Sequence, residues 1–241
     1  MTNTTTATTI TPPSPPIRCL GPFQISPTIY LTPIYISDAP EQHRILNLND
    51  SFFKGLYSDS MTFPFPKEEA LRFSTYLEQE RVEQGVCQTW AIRSTVNGPM
   101  IGLFSLDPQD HREMGHCYHG KELVLNGAST TTPTMKGNDD DDETPLSCGG
   151  VGYWLSPEHA GKGIMTDVLK FALTRLARQE FGYDRVHGEC WTDNIGSSRV
   201  MERAGMRQVI GLPMFVPKFS ATKDVAHFIH DIMISQSTHD T

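Results

Sequence analysis

The sequence predicts a mixed α/β fold, with a largely antiparallel sheet, flanking helices and one parallel strand pair. Three observations predict it. A strand-length apolar run from Gly150 to Leu155 is followed by a turn, a glycine loop, a one-sided helix and a second strand, which is a βαβ unit. Asn97-Gly98, a strong hairpin signal, stands between two apolar runs. Two further strand-length runs, Met206 to Val216 and Val225 to Ile234, close the chain and complete the antiparallel part.

The elements follow in order. Ile29 to Ile36 reads as a strand, and Pro33 inside it suggests an edge or a bulge. Asp38 and Pro40 can start a short helix carrying Ile45, Leu46 and Leu48. Pro66-Lys67-Glu68-Glu69 is a second helix start, with acidic residues in the first turn and Ala70, Phe73 and Leu77 facing inward. Gln88 to Arg93 and Met100 to Leu106 are the two strands of the predicted hairpin. After Gly163 the apolar positions Met165, Val168, Leu169, Ala172, Leu173 and Leu176 recur at helical spacing, and Gly182 suits a left-handed cap. Val186 to Trp191 is the strand that returns. Pro213 and Pro217 are expected to flank the connection between the closing strands.

The 241 residues, 38% of them hydrophobic, suffice for one domain with its own core. Residues 1–24 form a Thr- and Pro-rich leader, expected to be disordered and lacking the features of a secretory or mitochondrial signal. The domain is expected over residues 25–236, with a tail at 237–241. Asp107 to Gly149 is polar, contains a Thr-rich stretch and the acidic run Asp139 to Glu143, and reads as a disordered, dispensable insertion between two antiparallel strands. Its His111, His116, Cys117 and His119 fit no zinc spacing, so no metal is expected. A net charge of −8 provides no basic stripe for nucleic acid. Five cysteines without a CxxC suit a reducing, cytoplasmic setting, and no apolar run reaches membrane-spanning length.

The chemistry of a βαβ unit sits at its loop. Glycines that open a helix leave several backbone N–H groups without partners, and the helix dipole adds partial positive charge, so the loop is an anion site. It is not a P-loop, because Ser156 stands where the first glycine is needed and Gly163 where Ser or Thr is needed. Nor is it a dinucleotide fingerprint, because Thr166 stands in place of the third glycine. What remains is a loop able to hold a pyrophosphate by its backbone.

Ala160-Gly161-Lys162-Gly163-Ile164-Met165 resembles the acetyl-CoA pyrophosphate loop of the GNAT N-acetyltransferases, which usually reads Gln/Arg-x-x-Gly-x-Gly/Ala. Asn194 to Met206 is similar to the Asn-x-x-Ser-x-x-Val-Leu-Glu-Lys-x-Gly-Phe segment of their RimJ/RimL-like branch, with Ser197, Glu202 and Gly205 in step. Ala160 and Met165 depart from the loop pattern. The backbone amides survive both changes, whereas a side-chain contribution at Ala160 is lost. The resemblance covers roughly Ile29 to Met233 apart from the insertion.

The resemblance implies a GNAT-like fold whose two parallel strands splay apart around the cofactor's pantetheine arm. Trp154, Leu155 and Ser156, preceded by Tyr153, would then offer backbone groups to the arm. Ala160, Gly161, Lys162, Gly163, Ile164, Met165 and Thr166 would hold the pyrophosphate, and Asn194 would contact the cofactor. It implies acetyl transfer from acetyl-CoA to a primary amine, either a protein N-terminus or a small amine, by a monomer or homodimer. Counted from Asn194, the tyrosine that often serves as the thiolate's acid falls on Met201, which carries no proton. Ser197 matches the serine thought to serve instead. Ser197 equally suits a helix-start residue satisfying a backbone N–H. Glu189 near its strand's end, or Asp231, suits the amine's proton, and either can equally be solvated charge. Tyr153 and Trp154 suit an acceptor pocket or plain packing, and Cys190 suits a small core residue. The alternative function is a catalytically weak acyl-CoA-binding protein.

Overall fold

The structure is a computed structural model that describes residues 21–56, 61–109, 146–216 and 220–232. Most of the expected insertion, with its histidines and acidic run, lies outside them, as do residues 1–20 and 233–241. The strands are β1 (Phe23–Ser26), β2 (Ile29–Pro33), β3 (Thr89–Arg93), β4 (Met100–Gln109), β5 (Cys148–Leu155), β6 (Arg185–Trp191), β7 (Arg207–Val216) and β8 (Ala221–Asp231). They hydrogen-bond in the order β1-β2-β3-β4-β5-β6-β8-β7. The result is the predicted mixed sheet with flanking helices. β5 and β6 are parallel, and the registers of β1/β2, β2/β3, β6/β8 and β7/β8 are antiparallel.

The chain divides into two units, with β4 and β5 each contributing residues to both. The first comprises residues up to Phe104 together with Trp154–Ala160. Its helices are α1 (Ala39–Leu46), α2 (Asp50–Lys54) and α3 (Lys67–Gln84). α1 begins where Asp38 and Pro40 predicted, and its Ile45 and Leu46 are fully buried. α3 starts after Pro66 and ends at Gly85, whose φ of +66° is the left-handed cap that favours glycine. Ala70 and Ser74 are its buried positions, and Phe73 and Leu77 pack against Ile34, Ile45 and Met100. Trp90 and Phe104, both fully buried, stack at 6.3 Å.

Two expectations in this unit need correction. Pro33 marks neither an edge nor a bulge. β2 pairs on both sides and Pro33 is simply its last residue, opposite Trp90, where a missing N–H costs least. Asn97-Gly98 is not a two-residue hairpin. The strands stop at Arg93 and restart at Met100, and the turn closes with Gly98 N–H donating to Thr95 O at 3.0 Å. The primed turn would need positive φ at both residues, and neither has it. β1 was not predicted, and it begins at Phe23, two residues before the expected domain start.

The second unit holds residues 105–153 and those from Gly161 onward. α4 (Ile164–Phe171) buries Met165, Val168 and Leu169, and continues as a π-helical stretch, Ala172–Phe181, that buries Ala172, Leu173 and Leu176. The apolar stripe is therefore the buried face, as predicted, and Gly182 caps it with φ +67°. The widening is a departure from the expected regular helix. Thr174 Oγ1 donates to Lys170 O at 2.7 Å, a hydroxyl inserted into the backbone ladder there. α5 (Ile195–Ala204) follows β6 and ends at Gly205, φ +95°. Pro213 lies inside β7, opposite Asp224, and does not flank the connection. β7 is an edge strand, where proline is tolerated. Strand structure also reaches into the predicted insertion at both ends, since β4 runs to Gln109 and β5 begins at Cys148.

Candidate functional site

The parallel ladder of β5 and β6 is short. It runs from Cys148 opposite Arg185 to Val151 opposite Gly188, and stops there. Both strands continue beyond that point, β5 through Gly152 and Tyr153 and β6 through Glu189, Cys190 and Trp191. The two strands thus part at their carboxyl ends. This is the opening that the sequence implied by resemblance alone. Gly188 has no side chain, and the sulfur of Met201 from α5 lies 3.1 Å from where its Cβ would be, as does a methyl of Val151. Met201, at the usual tyrosine place, is a buried packing residue on the last paired position.

Ser197 stands beside the opening. Asn194 is the N-cap of α5, and its Oδ1 accepts Ser197 N–H at 3.1 Å. The capping task therefore belongs to Asn194. The Ser197 hydroxyl instead lies 2.8 Å from the Tyr153 hydroxyl, whose oxygen is also 3.3 Å from Ser197 O. Burial raises the pKa of the neighbouring Cys190 thiol, against a smaller lowering from Ser197, so it is not a ready nucleophile. Burial likewise pushes the Tyr153 phenol pKa well up, against a smaller lowering by its bond to Ser197. Tyr153, Cys190, Asn194 and Ser197 form one hydroxyl- and thiol-lined corner.

Glu189 is not in that corner. Strand alternation places Val186, Gly188 and Cys190 on one face of β6 and Arg185, His187, Glu189 and Trp191 on the other. Glu189 pairs across the sheet with His227 of β8, Oε1 to Nδ1 at 2.9 Å, and both side chains are more than four-fifths buried. Asp231 lies at the far end of β6 and β8, where its carboxylate binds Arg185 and Arg207. It is brought to neither group.

The glycine loop turns sharply into a helix start. Gly161 and Gly163 have φ of +75° and +80°, and a Cβ at either would point into open space. Gly163 is the N-cap of α4, so the loop leads directly into a helix start. Met165 buries its side chain, 6% exposed, in the interior and so leaves the loop backbone open despite its size. Lys162 is exposed on the loop, with Ile164 and Thr166 half-buried beyond it. In the first unit, Ala160 ends the short 3-10 turn Pro157–His159. Ser156 is buried, and its N–H donates to Ile101 O at 2.8 Å, so that amide already has a protein partner. Trp154 packs against the cores of α1, α2 and α3.

Sequence reasoning missed two partners. Period-two alternation puts Tyr153 on the face of Val151, and the parallel register carries that face to Gly188 and Cys190, so the Tyr153–Ser197 contact had a faint signal. His227 had none, because the β6–β8 register cannot be read from either segment.

Comparison with known proteins identifies the family. Residues 28–207 match the description "Acetyltransferase (GNAT) domain". The probable N-acetyltransferase YjcK of Bacillus subtilis (strain 168) is 25% identical over 181 residues, 75% of this chain and 81% of that protein. The crystal structure of the microcin C7 self-immunity acetyltransferase MccE with acetyl-CoA and AMP is similar, with a TM-score of 0.59, 17% identity, and 88% and 98% of the two chains covered. So is the acetyl transferase of Salmonella typhimurium that modifies the N-terminal serine of ribosomal protein L7/L12, with a TM-score of 0.60, 17% identity, and 87% and 98% covered. With residues 28–207, three quarters of its length, matched to one family, the chain belongs to the GNAT acetyltransferases.

Proposed function

We propose that the protein is an acetyl-CoA-dependent N-acetyltransferase that moves an acetyl group to a primary amine by direct attack. The observation that carries this reading is the parted end of β5 and β6, with the Ser197 hydroxyl held beside it and freed from capping by Asn194. The edge of β5 at Gly152 and Tyr153, past its last parallel pair with β6, suits a ligand arm that adds along it. The positive-φ loop at Gly161 and Gly163, leading into α4, suits the pyrophosphate.

In the reaction, the amine nitrogen uses its lone pair to form a bond to the thioester carbonyl carbon. The carbon–sulfur bond breaks with its electrons on sulfur, which takes the Ser197 hydroxyl proton. The proton lost by nitrogen passes to the Glu189–His227 pair on the opposite face, and solvent restores the serine. Ser197 on α5 and the Glu189–His227 pair on the sheet keep the two proton transfers apart. The similarity to an enzyme that modifies an N-terminal serine places peptide N-termini among the acceptors to test.

The test is release of free CoA from acetyl-CoA with a panel of N-terminal peptides, polyamines and small arylalkylamines. Transfer to at least one class supports the reading. Tight acetyl-CoA binding with no release by any class would leave an acyl-CoA-binding protein. A separate expectation concerns the loop. Gly163→Pro cannot adopt φ +80° and removes an amide, so acetyl-CoA affinity should fall about tenfold or more. Calorimetry on the folded variant checks it, and unchanged affinity would remove the loop from the site.

A further inference from the structure

The parted strands bring together something the sequence placed far apart: a tyrosine hydroxyl from β5 and the serine hydroxyl from the first turn of α5. We propose that Tyr153 is a positioning residue that aims the Ser197 hydroxyl proton at the leaving sulfur. This rests on the reading of Ser197 given above. Met201 occupies the usual tyrosine place on α5 but packs on Gly188, so in this chain the phenol comes from the strand instead of the helix.

The geometry is specific. Tyr153 Oη meets Ser197 twice, at 2.8 Å from Oγ and 3.3 Å from the carbonyl oxygen, which fixes the phenol against one residue. A phenol carries a single hydrogen, and the 2.8 Å contact to Oγ takes it in preference to the 3.3 Å contact to the carbonyl oxygen, so Tyr153 is the donor across the short contact. Ser197 Oγ then accepts from Tyr153, and its own hydrogen must leave in another direction. Its backbone cannot swing, because Asn194 holds the amide. Burial holds the phenol protonated, so Tyr153 works as a fixed donor and Ser197 remains the group that gives up a proton. Without the phenol hydroxyl, the serine rotor is free to donate to the Cys190 thiol or to a backbone carbonyl, and its proton is lost to the reaction.

The experiment compares the affinities of CoA and desulfo-CoA by calorimetry, below and above the pH at which the bound thiol ionises. The ratio isolates the hydrogen bond to sulfur. Asp193 and Glu202, whose charges bear on this corner, and the Cys190 and Tyr153 groups are common to both ligands and cancel. The wild-type protein should prefer CoA by about tenfold or more once the thiolate forms, as a charge-assisted hydrogen bond requires. Tyr153→Phe should lose about threefold or more of that preference with desulfo-CoA affinity unchanged, and should lower kcat about tenfold at constant KM for acetyl-CoA. Ser197→Ala should abolish the preference, and the double variant should be no worse than Ser197→Ala alone. If Tyr153→Phe keeps the wild-type preference while Ser197→Ala loses it, the positioning role is overturned. If the wild-type protein shows no preference, or Ser197→Ala keeps it, the reading of Ser197 itself fails. Should Tyr153→Phe not fold, Tyr153→Met, with an adaptable apolar side chain, submits the same ratio to the same judgement.

Discussion

Ser197→Ala is expected to lower turnover about a hundredfold, with acetyl-CoA affinity and melting temperature nearly unchanged. The structure sharpens the reason. A serine that caps a helix would, on removal, cost about 1 kcal/mol of stability. Here the cap is the Asn194 side chain on Ser197 N–H, a bond that alanine keeps in full. The hydroxyl that alanine removes contacts Tyr153 and Cys190 beside the parted strands. Its loss therefore falls on chemistry more than on folding. Ser198 is the control, since it projects about 100° further round α5 and its amide begins the regular helical ladder to Asn194 O. Equal turnover for Ser197→Ala and Ser198→Ala would overturn the assignment and return the proton to solvent. Asn194→Ala should show the opposite split, with a loss of stability through the missing cap.

Asp38→Ala is expected to destabilise the protein by about 3–5 kcal/mol, because it strands a buried guanidinium. The side chains of Arg93 and Asp38 are only 5% and 8% exposed. Arg93 Nη2 donates to Asp38 Oδ2 at 2.6 Å, its Nε to Thr32 Oγ1 at 2.6 Å, and its Nη1 to Gly98 O at 2.9 Å. Asp38 Oδ2 also accepts Tyr35 N–H at 2.9 Å, so one carboxylate ties the start of α1 to β3 and the turn that follows it. Removing it leaves a charge without its counter-ion where water cannot replace it. The melting temperature should fall by roughly 10 °C. Arg93→Met with Asp38→Leu should recover much of the loss, since a buried pair replaced by apolar residues is often neutral. A single variant melting like the wild type would show that the pair contributes little.

The helix starts at Pro40 and Pro66, the buried stripe from Met165 to Leu176 and the Gly182 cap were legible because each rests on contacts within a few residues. So was the glycine turn before α4, whose Gly161 and Gly163 adopt the positive φ that their type allows. Asn194 was legible as a cap for the same reason. The Asn97-Gly98 turn misled because its type depends on where the flanking strands stop, which Pro99 and the Arg93–Gly98 bond decide. Pro33 misled because a strand's end and a strand's edge look alike until its neighbours are known.

By itself, the sequence determined the order of the elements from β2 onward apart from the short α2, the parallel pair and the glycine loop, all properties of local periodicity and backbone freedom. The tertiary structure alone decided which side chains meet. Glu189 and Cys190 are adjacent in the chain, yet strand alternation sends one to His227 and the other to Ser197. Tyr153 and Ser197 are 44 positions apart, and they touch because β5 and β6 part just beyond Gly188 and α5 packs back over that point. Such a meeting depends on register and on the close approach that a glycine permits, and neither is encoded by any one segment.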